Sequence, residues 1–222
     1  MVEVADEPTG RNTRRKTRTR AALVRAAQQI LAEGGADSAS IQAIAERADV
    51  GFGSFYNHFQ SKTELFATAY AEAFQAYVAW RDAQIPAGTD PVARFVMSVR
   101  LTGRLGLLRP EIARVLTSRL AEAAPGEHGP AGPGLRVAIL DALAALNPGR
   151  VEPTDTEVTV IAAAGAIDAI LRATAHRPAR EHARLADSLA RDLLRMLGAD
   201  DDRSAALLAE PCPPATAPGE DH

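Results

Sequence analysis

The sequence predicts an all-α protein, and three observations lead there. Sustained period-two alternation is absent. Apolar residues recur at spacings of three and four along most of the chain, and the breaks fall at Gly, Pro, Ser and Asp positions. About nine helices are expected, a short N-terminal group followed by a larger bundle. With 222 residues the chain can form one large or two small domains, and either buries a core without disulfides or metals.

The first helix is expected to follow Thr17 or Thr19, with Leu23, Ala27, Ile30 and Leu31 on one face. It should stop at Gly34-Gly35, where glycine accepts a left-handed backbone. Ser40 is a good N-cap for a short second helix with Ile41, Ile44, Ala45 and Ala48 as its buried stripe, and Asp49-Val50-Gly51 forms a turn. Gly53 to Phe59 then reads as a third helix of about two turns. Ser61-Lys62-Thr63-Glu64 has the pattern of a capping box opening a helix to about Ile85, roughly 36 Å long at 1.5 Å per residue. Asp90-Pro91 starts the next helix, with Val92, Phe95, Val96 and Val99 inside, and Arg109-Pro110-Glu111 starts another, with Ile112, Val115, Leu116 and Leu120 as its apolar residues, that stops before Ala124. Ala124 to Gly134 is too rich in Pro and Gly to be regular and reads as a mobile loop.

Helices follow over Leu135 to Leu146, Asp155 to Arg172 and Arg180 to Leu197. Two of them carry stripes that fit either a core or an interface between chains. On the first are Val158, Ile161, Ala162, Gly165, Ala166, Ala169 and Ile170; on the second Leu185, Leu189, Leu193, Leu194 and Leu197. Residues beyond Gly198 read as a disordered tail.

Composition limits the function classes. The one cysteine, Cys212, lies in the Pro-rich tail without a partner in the chain, which excludes a disulfide framework and favours the cytoplasm. No signal peptide or membrane span is expected, since the apolar stretch from Val158 to Leu171 is interrupted by Asp168. The net charge of −3 argues against general nucleic-acid affinity. Its distribution is uneven, however: from Gly10 to Ile30 the chain carries Arg11, Arg14, Arg15, Lys16, Arg18, Arg20 and Arg25 and no acid, whereas beyond Lys62 the balance is acidic. Charge alone fits a solvated tail and a nucleic-acid-contacting arm equally well.

Ser40 to Phe66 combines two short helices across a tight turn with a cluster of aromatic and small polar residues, the form of a helix-turn-helix whose second helix enters a DNA major groove. At 100° per residue Phe55 and Phe59 fall on one side, for packing, and Ser54 and Asn57 on the other, with Gly53 permitting close backbone approach. Ile44-Ala45, Val50, Ser54-Phe55-Tyr56, His58-Phe59 and Lys62 occur in an order and spacing that resembles the TetR (TetR/AcrR) family signature, over about Thr17 to Phe66.

That resemblance implies a homodimer that binds a palindromic DNA operator, with a C-terminal half that binds a small-molecule effector, and usually a repressor. Domains are then expected as a flexible basic arm at 1–16, a helix-turn-helix DNA-binding domain at 17–61, a helical ligand-binding and dimerisation domain at 62–198, and the tail at 199–222. It places Ser40 and Lys62 on phosphates, Tyr56 on a phosphate or base edge, and Ser54, Asn57 and His58 in or beside the groove, with Gly53 close to the DNA and Arg18 on the basic arm. Asn57 can read adenine through two hydrogen bonds. Phe52 has two readings, a thymine methyl contact or a hydrophobic contact beneath the helix, and Gly51 replaces the serine common after the valine.

Tyr77, Trp80, Phe95, Met97, Val99 and Arg104 are the candidate effector-pocket residues, with ordinary core as the competing reading; Arg100, Arg104 and Arg119 could pair an acidic ligand or simply be solvated. Rotation of the long fourth helix is the expected coupling between effector and DNA. No catalytic, metal or cofactor residues are expected. His176 and His182 are six apart rather than the four that put two ligands on one helix face, and Gly51-Phe52-Gly53 follows no strand. A helical adaptor that does not bind DNA is the remaining alternative, and it has no reason to carry the Tyr56, His58, Lys62 spacing.

Overall fold

The computed structural model describes residues 8–118, 133–148, 153–175 and 177–212, and all regular structure among them is helical. Eleven helices are present among these residues: α1 Pro8–Ala32, α2 Ile41–Arg47, α3 Phe52–Phe55, α4 Lys62–Ala83, α5 Pro91–Gly103, α6 Leu105–Leu108, α7 Pro110–Leu116, α8 Pro133–Leu146, α9 Pro153–Ala175, α10 Ala179–Met196 and α11 Asp201–Ala209. They fall into two compact units, 1–72 and 73–222, the boundary lying within the sequence of α4.

In the N-terminal unit α1 begins at Pro8, about nine residues earlier than expected. Thr17 does not cap: its hydroxyl donates to the Thr13 carbonyl one turn back, at 3.1 Å, as an interior threonine does. Proline fits the first helical position, where a missing N–H costs nothing. Arg14, Arg15, Lys16 and Arg18 therefore stand on helix rather than on a free arm.

The helix ends as expected. Gly34 takes φ +74°, its N–H donates to Leu31 and that of Gly35 to Ile30, the paired bonds of a Schellman motif. The same pair closes α2, from Asp49 to Glu46 and from Val50 to Ala45, with Asp49 at φ +54°. Aspartate is among the few residues besides glycine that tolerate this conformation. Leu23, Leu31, Ile44, Phe55 and Leu65 are sealed at the centre of the unit.

The C-terminal unit is organised around α5, which packs against α8, α9 and α10. Asp90 caps it through bonds from the Val92 and Ala93 N–H groups, with Pro91 in the first turn, as the sequence predicts. Gly103 lets α10 come close: a Cβ there would lie 2.5 Å from the Ala186 Cβ and 3.1 Å from its Cα. After Gly103 the chain turns through α6, a single helical turn that was not expected, into α7, which stops at Leu116.

Leu193 and Leu194 of α10, and Leu197 at its C-cap, join the core with Ile139 and Ile167. For them the core reading holds. On α9 the opposite face is open: Val158 and Ile161 are exposed, as are Ala162, Gly165 and Ala169. Beyond Gly198, where disorder was expected, Asp200 caps α11 by accepting from the Arg203 N–H at 2.7 Å, and Leu207 and Leu208 pack on the core. The Ala124–Gly134 loop lies almost wholly outside the described residues, as do residues 1–7 of the arm, Arg119, His176 and residues 213–222. No helix among the described residues is long and apolar enough to cross a membrane.

Candidate nucleic-acid interface

α3 follows the Asp49 turn without a side-chain cap, Gly51 occupying the cap position, and the Ser54 N–H donates to the Gly51 carbonyl at 2.8 Å. Its α-helical part is one turn, Phe52–Phe55, continued as a turn through His58 by bonds from His58 and Phe59 to the Phe55 carbonyl. This is shorter than expected but keeps the expected faces. Phe55 and Phe59 are buried; Gly53, Tyr56 and Asn57 are exposed and Ser54 is half-buried.

Tyr56 is 56% exposed although one edge of its ring meets Phe55, and Phe52 is 53% exposed, which removes the reading that places it beneath the helix. Gly53 is not demanded by the chain itself. It has no positive φ, and a Cβ there would meet nothing within 4 Å.

Ser40 caps α2 as expected, accepting from the Ala43 N–H at 3.0 Å, and its hydroxyl proton remains free to donate. Lys62 does something the motif did not suggest. Its Nζ donates to the carbonyls of Ala36, Asp37 and Ala39 at 3.1, 3.1 and 3.0 Å. An ammonium has three protons, and all three are committed to the loop that delivers Ser40. The capping box beside it forms with one change of register: the Glu64 N–H donates to Ser61 Oγ at 3.1 Å, while Glu64 Oε2 accepts from the Gln60 N–H rather than from that of Ser61.

Positive charge flanks this turn. Arg18 is exposed on α1 with no ion pair among the described residues. Arg20 lies 5.3 Å from the centre of the Phe59 ring and pairs with Glu72 at 2.9 Å. Partial burial, and after it the charges of Lys16 and Arg20, hold the His58 imidazole below its ordinary value. The unfolded chain therefore binds a proton more readily than the folded one, so stability falls as pH drops through the ordinary imidazole value, about 6.5, toward the depressed folded value. An NMR titration of His58 is expected to show that depression and to recover part of it in high salt, which screens the exposed Lys16 and Arg20 but not the burial. A midpoint at the ordinary value, indifferent to salt, would remove the basic surroundings assigned to it.

The candidate effector residues separate. Phe95 and Val99 are sealed in the core, as the competing reading of them as ordinary core has it. Tyr77 is buried with its hydroxyl 2.6 Å from Thr102 Oγ1, and Trp80 and Met97 are half-buried. Arg104 is held by Asp187 at 2.8 Å, and Arg100 by the same carboxylate, so neither is a solvated or free anion donor. A cleft of about 460 Å³ is lined by Arg191, Arg195, Asp201, Ser204, Ala205, Leu208 and Ala209, and by none of the six.

Residues 23–69 match the family model of the bacterial regulatory proteins, tetR family. This segment, from within α1 to within α4, is what the chain shares with the TetR family. It is 29% identical over 117 residues to the HTH-type transcriptional repressor KstR of Mycobacterium tuberculosis, covering 53% of this chain and 52% of the relative, and 28% identical over 117 residues to KstR of Mycolicibacterium smegmatis. The chain thus spans about half the length of these relatives. Solved structures share the fold over more of it: RolR with its ligand resorcinol, with a TM-score of 0.59, 22% identity and coverage of 92% of this chain and 100% of that one; and a gamma-butyrolactone receptor, with 0.57, 18%, 87% and 94%. The TetR-family match spans the helix-turn-helix, α2 through α3, on which the exposed Tyr56 and Asn57 stand.

Proposed function

We propose that this chain is a cytoplasmic transcriptional repressor of the TetR family that binds a palindromic DNA operator as a homodimer and leaves it on binding a small-molecule effector. One observation carries the reading: on the α3 turn the side chains that could read bases, Tyr56 and Asn57, are turned to solvent while their neighbours Phe55 and Phe59 are buried. The exposed basic residues of α1, Arg14, Arg15, Lys16 and Arg18, supply phosphate contacts that position without specifying. The apolar face of α9, open at Val158, Ile161, Ala162 and Gly165, supports the dimer, because small and branched side chains let a second helix approach closely.

Release by an effector is a shift of population. The bound and unbound forms must differ in effector affinity, and about 5.5 kcal/mol moves a 99:1 equilibrium to 1:99. KstR is named as a repressor and RolR was solved with resorcinol, which supports both halves of the proposal without naming the effector of this chain.

Selection of duplexes from a random library tests it. The wild type is expected to enrich a palindrome whose half-sites lie about one helical turn apart, as a two-fold dimer requires. Tyr56→Ala should lose about tenfold or more of the affinity for that site at unchanged thermal stability, since Tyr56 is exposed. If no sequence is enriched at low salt, the adaptor reading replaces this one.

A further inference from the structure

The recognition turn carries an apolar tip that hydrogen-bonding readers do not explain. Phe52 is the first residue of α3, and its ring stands edge-on to that of Tyr56, centroids 5.9 Å apart at 76°. Tyr56 in turn stands edge-on to Phe55 at 5.3 Å and 79°, and Phe55 is fully buried. The exposed ring is thus anchored through one intermediate to the core, so it is presented in a defined place. On both sides of it the chain has no side chain. A Cβ at Gly53 would meet nothing within 4 Å, and one at Gly51 would meet only Ser54 Oγ, at 3.8 Å.

A single exposed phenylalanine is ordinary on a protein surface. Here the exposed ring adjoins a second exposed ring, is oriented by it, and is flanked by glycines that leave room for close approach. Phenyl has neither donor nor acceptor and cannot read the polar pattern of a base pair. In the major groove the apolar feature it can recognise is the methyl group on C5 of a pyrimidine, carried by thymine and by 5-methylcytosine.

We infer that Phe52 is a specificity determinant that seats a pyrimidine C5-methyl group in each half-site, between the glycines and against Tyr56. This rests on the reading of the chain as a DNA-binding regulator. Commitment to a methyl contact makes the operator sensitive to a single carbon atom.

The test uses the full-length protein and the duplex it selects. Each thymine is replaced in turn by uracil, and each cytosine by 5-methylcytosine, and binding is followed by fluorescence anisotropy. Removal of the methyl that Phe52 contacts is expected to weaken the wild type about fourfold in one half-site, and about 15-fold when both half-sites are changed, while leaving Phe52→Ala unaffected. Phe52→Leu, which keeps an apolar surface, should retain part of the sensitivity. A loss confined to uracil identifies thymine, whereas a gain confined to 5-methylcytosine identifies the methylated cytosine. Wild-type binding that ignores every methyl, or a loss equal in wild type and Phe52→Ala, overturns the inference and leaves the regulator intact. Failure to select any site overturns both.

Discussion

Replacing Asp187 with alanine is expected to lower the stability of the C-terminal unit by about 2–3 kcal/mol, less than the ~3–5 kcal/mol of a fully buried pair because the Asp187 side chain is 35% exposed, and more than a surface pair because both of its partners are nearly sealed. Asp187 Oδ1 accepts from Arg100 Nε and from Arg104 Nη2, both at 2.8 Å, and the two arginine side chains are only 6% and 13% exposed. One carboxylate is therefore shared by two guanidinium groups and offsets one of their two charges. Without it two like charges face each other where water reaches them poorly. The remaining bonds, from Arg100 Nη1 to the Glu210 carbonyl at 2.7 Å and from Arg104 Nη1 to the Arg100 carbonyl at 3.0 Å, satisfy protons but supply no negative charge.

Hydrogen exchange across α10 and α11 should register the loss first, since Glu210 directly follows α11 and its carbonyl is held by Arg100. Asp187→Asn, which keeps an acceptor but not the charge, is expected to fall between. A cost below about 1 kcal/mol for the alanine variant would mean that the cluster is no stronger than a surface pair. For the proposed effector, the consequence is that an acidic group could engage Arg104 only by competing with Asp187.

Local chemistry that acts within one turn of chain was legible in the sequence. Gly34 ends α1, Ser40 and Asp90 cap their helices, and the burial of Phe55 and Phe59 follows from their spacing on one side of a helix. Misreadings arose where a residue had two local uses. Thr17 has the composition of a cap but bonds back into a helix that continues. Asp200 has the same composition at the start of a segment dismissed as a tail, and here it does cap, with Asp201 and Asp202 in the first turn behind it. That acidic first turn before Leu207 and Leu208 was the available signal.

What could not be read were partners distant in sequence. Nothing local pairs Arg100 with Asp187, or aims Lys62 at a loop more than twenty residues back. The fate of Phe52 was equally out of reach, because periodicity separates the faces of a long helix and α3 offers one turn. Its exposure comes from the tertiary placement of that turn.

Lys62→Met is expected to lower the stability of the N-terminal unit by about 2–3 kcal/mol, because it removes three charge-assisted bonds, two of them part-buried and the one to Asp37 exposed. The motif places this lysine on DNA, and the two roles predict different measurements. A phosphate contact would reduce the slope of log affinity against log salt by about one and leave the melting temperature alone. An internal clamp would lower the melting temperature and leave the slope nearly unchanged, with binding weakened only as Ser40 and α2 lose their support. Lys62→Arg sharpens the comparison. It keeps the positive charge but replaces an ammonium, whose three protons fit three converging carbonyls, with a planar fork that cannot reach them together. If Lys62 acts on phosphate, arginine restores the salt slope and affinity. If it holds the loop, arginine destabilises the unit much as methionine does, and it is this second result that the three bonds predict.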